Sequence, residues 1–127
     1  MKTTKLLVAD DSMMMRDIIK EILLEDFPEV HIYEAADGLE AQKVLQKEHV
    51  DAVLCDWEMP GMNGIDLLQW VRNTPALKTL PFIMVTGTTE KESIVQCIKA
   101  GVTDYIVKPL TPETLCHKIS KVIKTGP

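Results

Sequence analysis

Short apolar runs alternate with amphipathic segments along the whole chain. Runs of four or five mostly apolar residues between polar flanks are typical of buried β-strands, so the pattern predicts strands wherever such a run occurs. Five segments fit this description: Lys5–Ala9, Val30–Glu34, Ala52–Cys55, Phe82–Val85 and Tyr105–Val107. The first and third runs are almost entirely apolar, which favours positions in the interior of a sheet.

The segments between and after these runs have apolar residues at helical spacing, and they predict five α-helices. The apolar positions are Ile18, Ile19, Ile22 and Leu23 in the first; Leu39, Ala41, Val44 and Leu45 in the second; Ile65, Leu68 and Val71 in the third; Ile94, Val95 and Ile98 in the fourth; and Leu115, Ile119, Val122 and Ile123 in the fifth.

Residues typical of helix ends agree with this division. Two pairs have capping-box spacing, a threonine–proline pair suits a helix start, and one glycine suits a left-handed stop. They are Asp37 with Glu40, Thr89 with Glu92, Thr111 with Pro112, and Gly101.

The alternation of strands and helices predicts an α/β fold, with a parallel sheet covered by helices on both faces and right-handed crossovers. No internal repeat, low-complexity tract or linker interrupts it, so we expect a single domain over residues 1–127. In such open sheets, ligands bind at the carboxyl ends of the strands where the strand order reverses. This edge is therefore the place to look for chemistry.

Composition restricts the class of protein. The chain has 127 residues, with 46% hydrophobic and 26% charged, which is typical of a globular domain. A net charge of −5 argues against direct binding of nucleic acid or an anionic membrane. No run approaches the roughly 20 apolar residues of a membrane span, and no signal-peptide core forms, so we expect a cytoplasmic location. The three cysteines lack metal-site spacing and are interpreted as reduced, mostly buried thiols.

Polar side chains stand at the end of four of the five predicted strands. The first strand is followed by Asp10 and Asp11, the third by Asp56, the fourth by Thr86-Gly87-Thr88, and the fifth by Lys108-Pro109. Three carboxylates close together repel one another and require a cation, of which Lys108 supplies only one charge. Oxygen ligands select a hard cation, and we predict Mg²⁺.

Each of these features also has an ordinary structural interpretation. An Asp-Asp pair before a helix is often only a cap, a lysine–proline pair is usually a turn, and a threonine at a strand end needs no special role. Their coincidence at one edge of one sheet is what favours a functional site.

Four motifs at these strand ends resemble the signatures of response-regulator receiver domains. They are VADDS at the first strand, CDWEMPGMNG at residues 55–64, MVTGT at residues 84–88 and YIVKP at residues 105–109. The resemblance covers about residues 5–124 and is strongest to the single-domain chemotaxis regulators of the family. It implies a flavodoxin-like (βα)5 fold with five parallel strands in the order 2-1-3-4-5.

The resemblance also implies a mechanism. Asp56 would be the phosphoacceptor, taking a phosphoryl group from a phosphohistidine on a partner histidine kinase. Mg²⁺ would be held by Asp11, Asp56 and the backbone carbonyl of Glu58, with Asp10 acting through water. Lys108 would contact a phosphoryl oxygen as a compact charge.

A second implication of the resemblance is a switch. The hydroxyl of Thr86 would move towards the phosphoryl group, and the ring of Tyr105 would rotate into the space it leaves. The surface of the fourth helix, fifth strand and fifth helix would then bind a downstream target, such as the flagellar motor switch. Residues expected on this partner face are Lys91, Ile94, Val102, Tyr105, Cys116 and Lys118. We expect a monomer before phosphorylation, and no enzyme activity beyond self-catalysed phosphorylation and dephosphorylation. The peptide bond between Lys108 and Pro109 is expected to be cis.

Two positions depart from the chemotaxis pattern. Glu58 is an acid where the chemotaxis regulators have an amide, and Thr88 stands where they have an acid. Both positions flank the path of the water that hydrolyses the aspartyl phosphate in the family. We therefore expect these two residues to set the lifetime of the phosphorylated state.

Other assignments remain open at the level of sequence. Within the family, the chain could be a phosphorelay or adaptor receiver, or a receiver taken from a longer regulator. A haloacid-dehalogenase-type phosphatase also uses an aspartyl nucleophile, but it needs a second Asp where Glu58 stands and a cap domain. A flavodoxin-like FMN carrier needs a phosphate loop after the first strand, where this chain has Asp10 and Asp11.

Overall fold

The computed structural model describes residues 3–87 and 91–123, which form strands and helices in strict alternation. In chain order the elements are β1 (Lys5–Ala9), α1 (Met13–Asp26), β2 (His31–Ala35), α2 (Gly38–Lys47), β3 (Ala52–Asp56), α3 (Gly64–Asn73), a 3-10 turn (Pro75–Leu77), β4 (Phe82–Thr86), α4 (Lys91–Lys99), β5 (Asp104–Val107) and α5 (Pro112–Val122). All five predicted strands and helices are present, and only the 3-10 turn was not predicted.

The sheet has five parallel strands in the order β2-β1-β3-β4-β5, which confirms the α/β class and the strand order. The strand order changes direction at β1: β2 lies on one side of it, and β3 with the later strands lies on the other. The strands β1 and β3 are direct neighbours, with Ala9 opposite Cys55. The residues that follow β1 therefore lie next to the end of β3. This is the switch point at which open α/β sheets bind ligands.

The two faces of the sheet form separate cores, because successive side chains of a strand point to opposite faces. Helices α2, α3 and α4 cover one face, and α1 and α5 cover the other. The strands contribute Leu7, Val53, Cys55, Phe82 and Met84 to the first core, and Leu6, Val8, Leu54, Ile83, Val85 and Ile106 to the second. Both faces of β1, β3 and β4 are buried, as their apolar sequences predict.

Three strands are one residue longer than predicted: β5 begins at Asp104, and β3 and β4 each include the polar residue that follows the apolar run. Asp56 belongs to β3 and pairs with Val85, and Thr86 belongs to β4 and pairs with Val107. Hydropathy alone ends a strand at the first polar residue, whereas the backbone ladder continues beyond it. Both polar side chains are consequently held by regular strand geometry rather than by a loop. The second strand is also shifted by one residue, to His31–Ala35.

Not every residue at helical spacing is buried. Ile18 is 42% exposed, Leu39 56% and Ile98 60%. Each stands beside or near a residue that does face the sheet, and neighbouring helical residues are about 100° apart around the axis. The part of each helix surface that packs against the core is therefore narrower than the set of apolar residues in its sequence suggests.

The helix ends follow the predicted signals. The side chain of Asp37 accepts the N–H of Glu40 at 2.8 Å, and Thr111 caps α5 with Pro112 in its first turn. Gly101 has φ +92°, as a left-handed stop requires. Thr89, the other predicted cap, lies outside the described residues. The longest described helix has 14 residues, and none of them combines the length and hydropathy needed to cross a bilayer.

An ion-pair group joins α1 to β2 and predicts a pH dependence of stability. Glu34 lies 2.9 Å from the ammonium of Lys20 and 3.0 Å from the guanidinium of Arg16. The Lys20 hydrogen bond, followed by that of Arg16, holds the pKa of Glu34 below its ordinary value. A lowered folded-state pKa adds stability above the unfolded-state pKa, and this stability is lost as pH falls through the lowered value.

We therefore expect Glu34→Gln to lower the unfolding temperature at pH 7 and to have no effect once the pH is below the pKa of Glu34. Because the pair is partly solvated, the loss should stay below about 1 kcal/mol, or about 4 °C. Thermal unfolding followed by circular dichroism from pH 7 to pH 3 measures this. Glu29→Gln, an exposed glutamate outside these ion pairs, is the control. An effect of Glu34→Gln that is independent of pH would contradict the ion-pair origin.

Candidate functional site

Three carboxylates meet at the carboxyl edge of the sheet. Asp10 and Asp11 follow β1, Asp56 ends β3, and one oxygen of each lies within 4.8 Å of the others. The pairing of β1 with β3 causes this convergence, because it aligns the ends of two strands that are far apart in sequence. Asp10 and Asp56 are buried, whereas Asp11 is exposed. The acids that the sequence places at strand ends are thus brought together in space.

The carboxylate of Asp56 is in an unfavourable electrostatic position. Only 7% of the residue is exposed, and burial raises the pKa of Asp56 above its ordinary value. The ammonium of Lys108, 3.4 Å from Oδ1 of Asp56, opposes this shift, whereas the negative charge of Asp10 increases it. The backbone N–H of Glu58 also hydrogen-bonds to the carboxylate and favours its charged form. Among the described residues, Lys108 alone forms a side-chain ion pair with any of the three clustered acids, and a further cation would relieve their repulsion.

The turn after β1 is held by two interactions that sequence analysis missed. Oδ1 of Asp10 accepts the N–H of Ser12 at 2.8 Å, and Ser12 in turn caps α1. The backbone carbonyl of Asp10 accepts a hydrogen bond from Nη1 of Arg16 at 2.6 Å. Because the acceptor is a backbone carbonyl six residues away, the sequence carries no signal for this contact.

The chemistry of these donors suits a hard divalent cation. All three side chains offer carboxylate oxygens, which are the preferred ligands of Mg²⁺ and Ca²⁺. Cys55 is the nearest sulfur in sequence, but its thiol points into the core and donates to the carbonyl of Asp56 at 3.2 Å. Burial raises the pKa of Cys55 well above its ordinary value, in keeping with a thiol that lies in the core. The acidic cluster could therefore bind a metal through oxygen alone.

The loop after β3 forms an open pocket of about 390 Å³ beside the acidic cluster. Its shape depends on Gly64, because a Cβ there would lie 2.6 Å from the carbonyl oxygen of Asp56 and 2.7 Å from the sulfur of Met84. The N–H of Gly64 closes the loop by donating to the carbonyl of Trp57 at 2.8 Å. The residues lining the pocket are Asp11, Trp57, Glu58, Met59, Pro60 and Asn63.

The ends of β4 and β5 complete the edge. The N–H of Lys108 donates to the carbonyl of Thr86 at 2.7 Å, which continues the pairing of the two strands to the site. Thr86 is only 2% exposed. The bond between Lys108 and Pro109 is cis, as expected. Thr88, whose side chain was predicted to influence hydrolysis, lies outside the described residues.

The residues predicted for the partner face lie on α4, on β5, on α5 and in the turn between α4 and β5. Lys91 is exposed at the start of α4, while Ile94, Val102 and Tyr105 are half-buried, the last two packing against the core beneath α4. Lys118 on α5 reaches β5, where its ammonium lies 2.9 Å from Asp104. Tyr105 pairs with Met84, two residues before Thr86.

Cys116 is a correction to this set. Its sulfur lies 4.0 Å from the carbonyl oxygen of Ile22 in α1, so it faces the other flank of α5. Burial and then Asp26 of α1 raise the pKa of Cys116 to about 11. Lys118 and Cys116 are two residues apart and point in nearly opposite directions around the helix. The structure therefore does not place Cys116 with the partner face.

A second, larger opening of about 530 Å³ lies between α3 and α4, away from the acidic cluster. Its lining combines two lysines with amides and one acid, and it contains none of the strand-end residues. The residues are Gln69, Lys91, Glu92, Val95, Gln96, Lys99 and Ala100.

Comparison with known proteins agrees with the geometry of the site. The family model of the response regulator receiver domain matches residues 6–120. The chain is 45% identical over 123 residues to the chemotaxis protein CheY-3 of Vibrio cholerae, covering 97% of this chain and 94% of that protein. It is 43% identical over 120 residues to the chemotaxis protein CheY of Pseudomonas aeruginosa, covering 94% and 96%.

Solved structures give the same result. The chemotaxis response regulator CheY4 of Vibrio cholerae superposes with a TM-score of 0.88 at 32% identity, over 96% of this chain and 100% of that one. A putative response regulator from Chloroflexus aurantiacus reaches 0.89 at 30% identity, over 95% and 98%. With a family match over residues 6–120 and relatives of 43–45% identity over nearly their full length, the chain belongs to the response regulator receiver domain family and is related to the CheY-type chemotaxis proteins.

Proposed function

We propose that this protein is a phospho-accepting response regulator that receives a phosphoryl group from a histidine kinase on Asp56. The observation that supports this most directly is the environment of that carboxylate. It is buried at the end of β3, lies 3.4 Å from the ammonium of Lys108, and opens towards the acidic cluster and the pocket beside it. Membership of the receiver family supports the same role.

The chain's own groups suit phosphoryl transfer, which depends on positioning and charge neutralisation more than on covalent chemistry. Asp56 is the proposed nucleophile, and strand pairing holds it in place. Lys108 is the proposed counter-charge for a phosphoryl oxygen. The N–H of Glu58 donates to the carboxylate and orients it.

The proposed cofactor is Mg²⁺. Asp10, Asp11 and Asp56 would hold it, with the backbone carbonyl of Glu58 as an additional oxygen. When bound, Mg²⁺ would neutralise charge on the transferring phosphoryl group. The exposure of Asp11 leaves this side of the cluster open to solvent and to a phosphodonor.

The proposed output is a change at the surface of α4, β5 and α5. Thr86 would donate its hydroxyl to a phosphoryl oxygen, and Tyr105 would change position in response. The pairing of β4 with β5 supports this connection, because it joins Thr86 to Val107 and Met84 to Tyr105. The exposed start of α4 and Lys118 on α5 would form part of the surface that binds the target.

We further propose chemotaxis as the pathway, because the relatives at 43–45% identity are named chemotaxis proteins. The flagellar motor switch is the proposed target. We propose that the unphosphorylated protein is a monomer of one receiver domain. It would be located in the cytoplasm and would have no enzyme activity on other substrates. A phosphorelay or adaptor receiver remains the second candidate, because it would use the same site.

Mass spectrometry of the intact chain tests the central proposal. Incubation with acetyl phosphate and Mg²⁺ should add the mass of one phosphoryl group, and the adduct should be released by hydroxylamine, as an acyl phosphate requires. Incubation with EDTA in place of Mg²⁺ is the control. A wild-type chain that gains no phosphoryl group under these conditions would exclude the proposed function.

The negative charge of Glu58 is expected to lengthen the lifetime of the phosphorylated state. Its side chain is exposed and lines the pocket beside Asp56, so it brings negative charge to the approach of the hydrolytic water. That charge disfavours the negative charge that develops on the attacking water. We expect Glu58→Asn to shorten the phosphoryl lifetime by a factor of about 2–10, which corresponds to less than about 1.4 kcal/mol in barrier.

The measurement is the decay of phosphorylated protein after removal of the donor. Glu58→Gln keeps the length of the side chain and removes its charge, so it should show the same direction if charge is the cause. A longer lifetime in Glu58→Asn than in wild type would mean that Glu58 assists the water. The role of Thr88 in this step stays a prediction.

A further inference from the structure

Arg72, in the last turn of α3, connects three separate parts of the chain. Its Nε donates to the carbonyl of Gly101 at 2.8 Å, and its Nη1 donates to the carbonyls of Leu80 at 2.7 Å and Lys78 at 3.3 Å. Its Nη2 donates to the hydroxyl of Thr103 at 3.4 Å. One side chain thus links the end of α3 to the segment before β4 and to the turn between α4 and β5.

The partners of Arg72 are unusual for a partly buried cation, because none of these four acceptors is a carboxylate. A guanidinium offers five N–H donors in a fixed plane, so it can serve several carbonyls at once. Backbone carbonyl oxygens carry partial negative charge, and three of them face the guanidinium. Burial lowers the pKa of Arg72, in keeping with a desolvated position. Its contacts fix geometry rather than form an ion pair.

The turn between α4 and β5 depends on these contacts. Gly101 has φ +92°, and a Cβ there would lie 3.3 Å from Nε of Arg72, so the turn approaches the arginine closely. On its other side the turn is tied to β4, because Thr103 exchanges two hydrogen bonds of 2.9 Å with Phe82. Thr103 accepts from both Arg72 and Phe82 and is the point where the two connections meet.

We propose that Arg72 is a positioning residue that fixes the C-terminal end of α4 and the start of β5. A rearrangement that begins at Thr86 would then reach α4 at its N-terminal end, because β4 leads into that end of the helix, while the other end stays attached to α3. The anchored turn comprises Gly101, Val102 and Thr103. The next residue is Asp104, which pairs with Lys118. Arg72 therefore supports the α4–β5–α5 surface without touching the acidic cluster, and its role in signalling rests on the proposed function.

Hydrogen exchange of the full chain, without phosphodonor, tests the anchoring by itself. In Arg72→Met, the amides of Gly101, Val102 and Thr103 should exchange at least about 10-fold faster than in wild type. Lys99→Met is the matched control, since it removes a positive charge from the last turn of α4 and none of the hydrogen bonds above. It should leave these amides within about 2-fold of wild type.

Amides of β1 report global unfolding and separate the anchoring from a general loss of stability. The inference is overturned if the turn amides do not accelerate, or if they accelerate only as much as those of β1. Arg72→Lys keeps the charge, but all the N–H donors of a lysine are on one nitrogen, which cannot reach the separate acceptors. The exchange rates of the turn amides should therefore resemble those in Arg72→Met. Full protection in Arg72→Lys would show that charge alone suffices and would also overturn the inference.

A second readout connects the anchor to switching. Tyrosines labelled as 3-fluorotyrosine, with Tyr33→Phe used for assignment, report the environment of Tyr105 by fluorine NMR. Adding beryllium fluoride and Mg²⁺ should shift the Tyr105 signal in wild type and Lys99→Met, and the shift should be reduced or broadened in Arg72→Met. Acetyl phosphate should still phosphorylate Arg72→Met at the wild-type rate. An unchanged Tyr105 response in Arg72→Met would refute the link to switching, whereas a wild-type chain that cannot be phosphorylated would refute only the proposed function.

Discussion

Asp56→Asn should abolish phosphorylation by acetyl phosphate and Mg²⁺, while the wild-type chain gains one phosphoryl group. The amide of asparagine is a much weaker nucleophile than a carboxylate, and it cannot form an acyl phosphate. Asp56 combines a position at the carboxyl end of β3 with the ammonium of Lys108 at 3.4 Å and two further carboxylates close by. We expect labelling to fall at least about 100-fold, or about 2.7 kcal/mol in barrier.

The control for this variant is Asp66→Asn, which makes the same chemical change at an exposed acid in the first turn of α3. It should be phosphorylated as wild type is. The unfolding temperature of Asp56→Asn in EDTA should be equal to or above that of wild type, because the change removes a buried charge that Asp10 repels. A folded Asp56→Asn chain that is labelled as fully as wild type would assign the phosphoryl group to another residue.

Removing Asp11 should abolish the stabilisation of the fold by Mg²⁺. A ligand that binds only the folded chain stabilises it by mass action, and a concentration about ten times Kd gives about 1.4 kcal/mol, or about 5 °C in a domain of this size. Asp11→Ala deletes one of the three clustered carboxylates and also relieves repulsion between the others. Without metal, this variant should therefore unfold at the wild-type temperature or above it.

Thermal unfolding of both chains in EDTA and in Mg²⁺ measures the two effects. Asp17→Ala is the matched control, because Asp17 is an exposed acid of α1 outside the cluster, and it should keep the full response to Mg²⁺. An undiminished shift in Asp11→Ala would mean that Asp11 is not a ligand. A wild-type chain with no shift at saturating Mg²⁺ would reject the proposed cofactor itself.

Much of the fold could be predicted from sequence because its signals are local. A buried parallel strand needs a short apolar run, and a helix that covers a sheet needs an apolar stripe, so β1, β3 and β4 and the five helices can be identified from residues alone. The cap at Asp37 and the left-handed Gly101 are equally local. Boundaries were less accurate, since Asp56 and Thr86 are polar residues that the backbone ladder nevertheless includes.

Interactions between distant elements could not be predicted in this way. Cys116 and Lys118 look alike as neighbours on an amphipathic helix, yet one lies against α1 and the other reaches Asp104 on β5. Which flank a residue joins depends on how α5 is rotated against the sheet, and the packing of Leu115 and Ile119 decides that rotation. Arg72 gave no signal, because three of its four partners are backbone carbonyls, which every sequence possesses, and the fourth is a threonine hydroxyl 31 residues away.

The candidate site shows the same division. The sequence alone determined that acids, a threonine and a lysine stand at the ends of strands in a parallel sheet, because strand direction in an α/β fold follows from the order of the elements. Only the tertiary structure decided that three carboxylates come within 4.8 Å of one another and that Asp56 is buried beside Lys108. Those distances result from the pairing of β1 with β3 and from the path of the chain after β5. The electrostatic strain on Asp56, and with it the need for a cation, is a property of residues that only folding brings into contact.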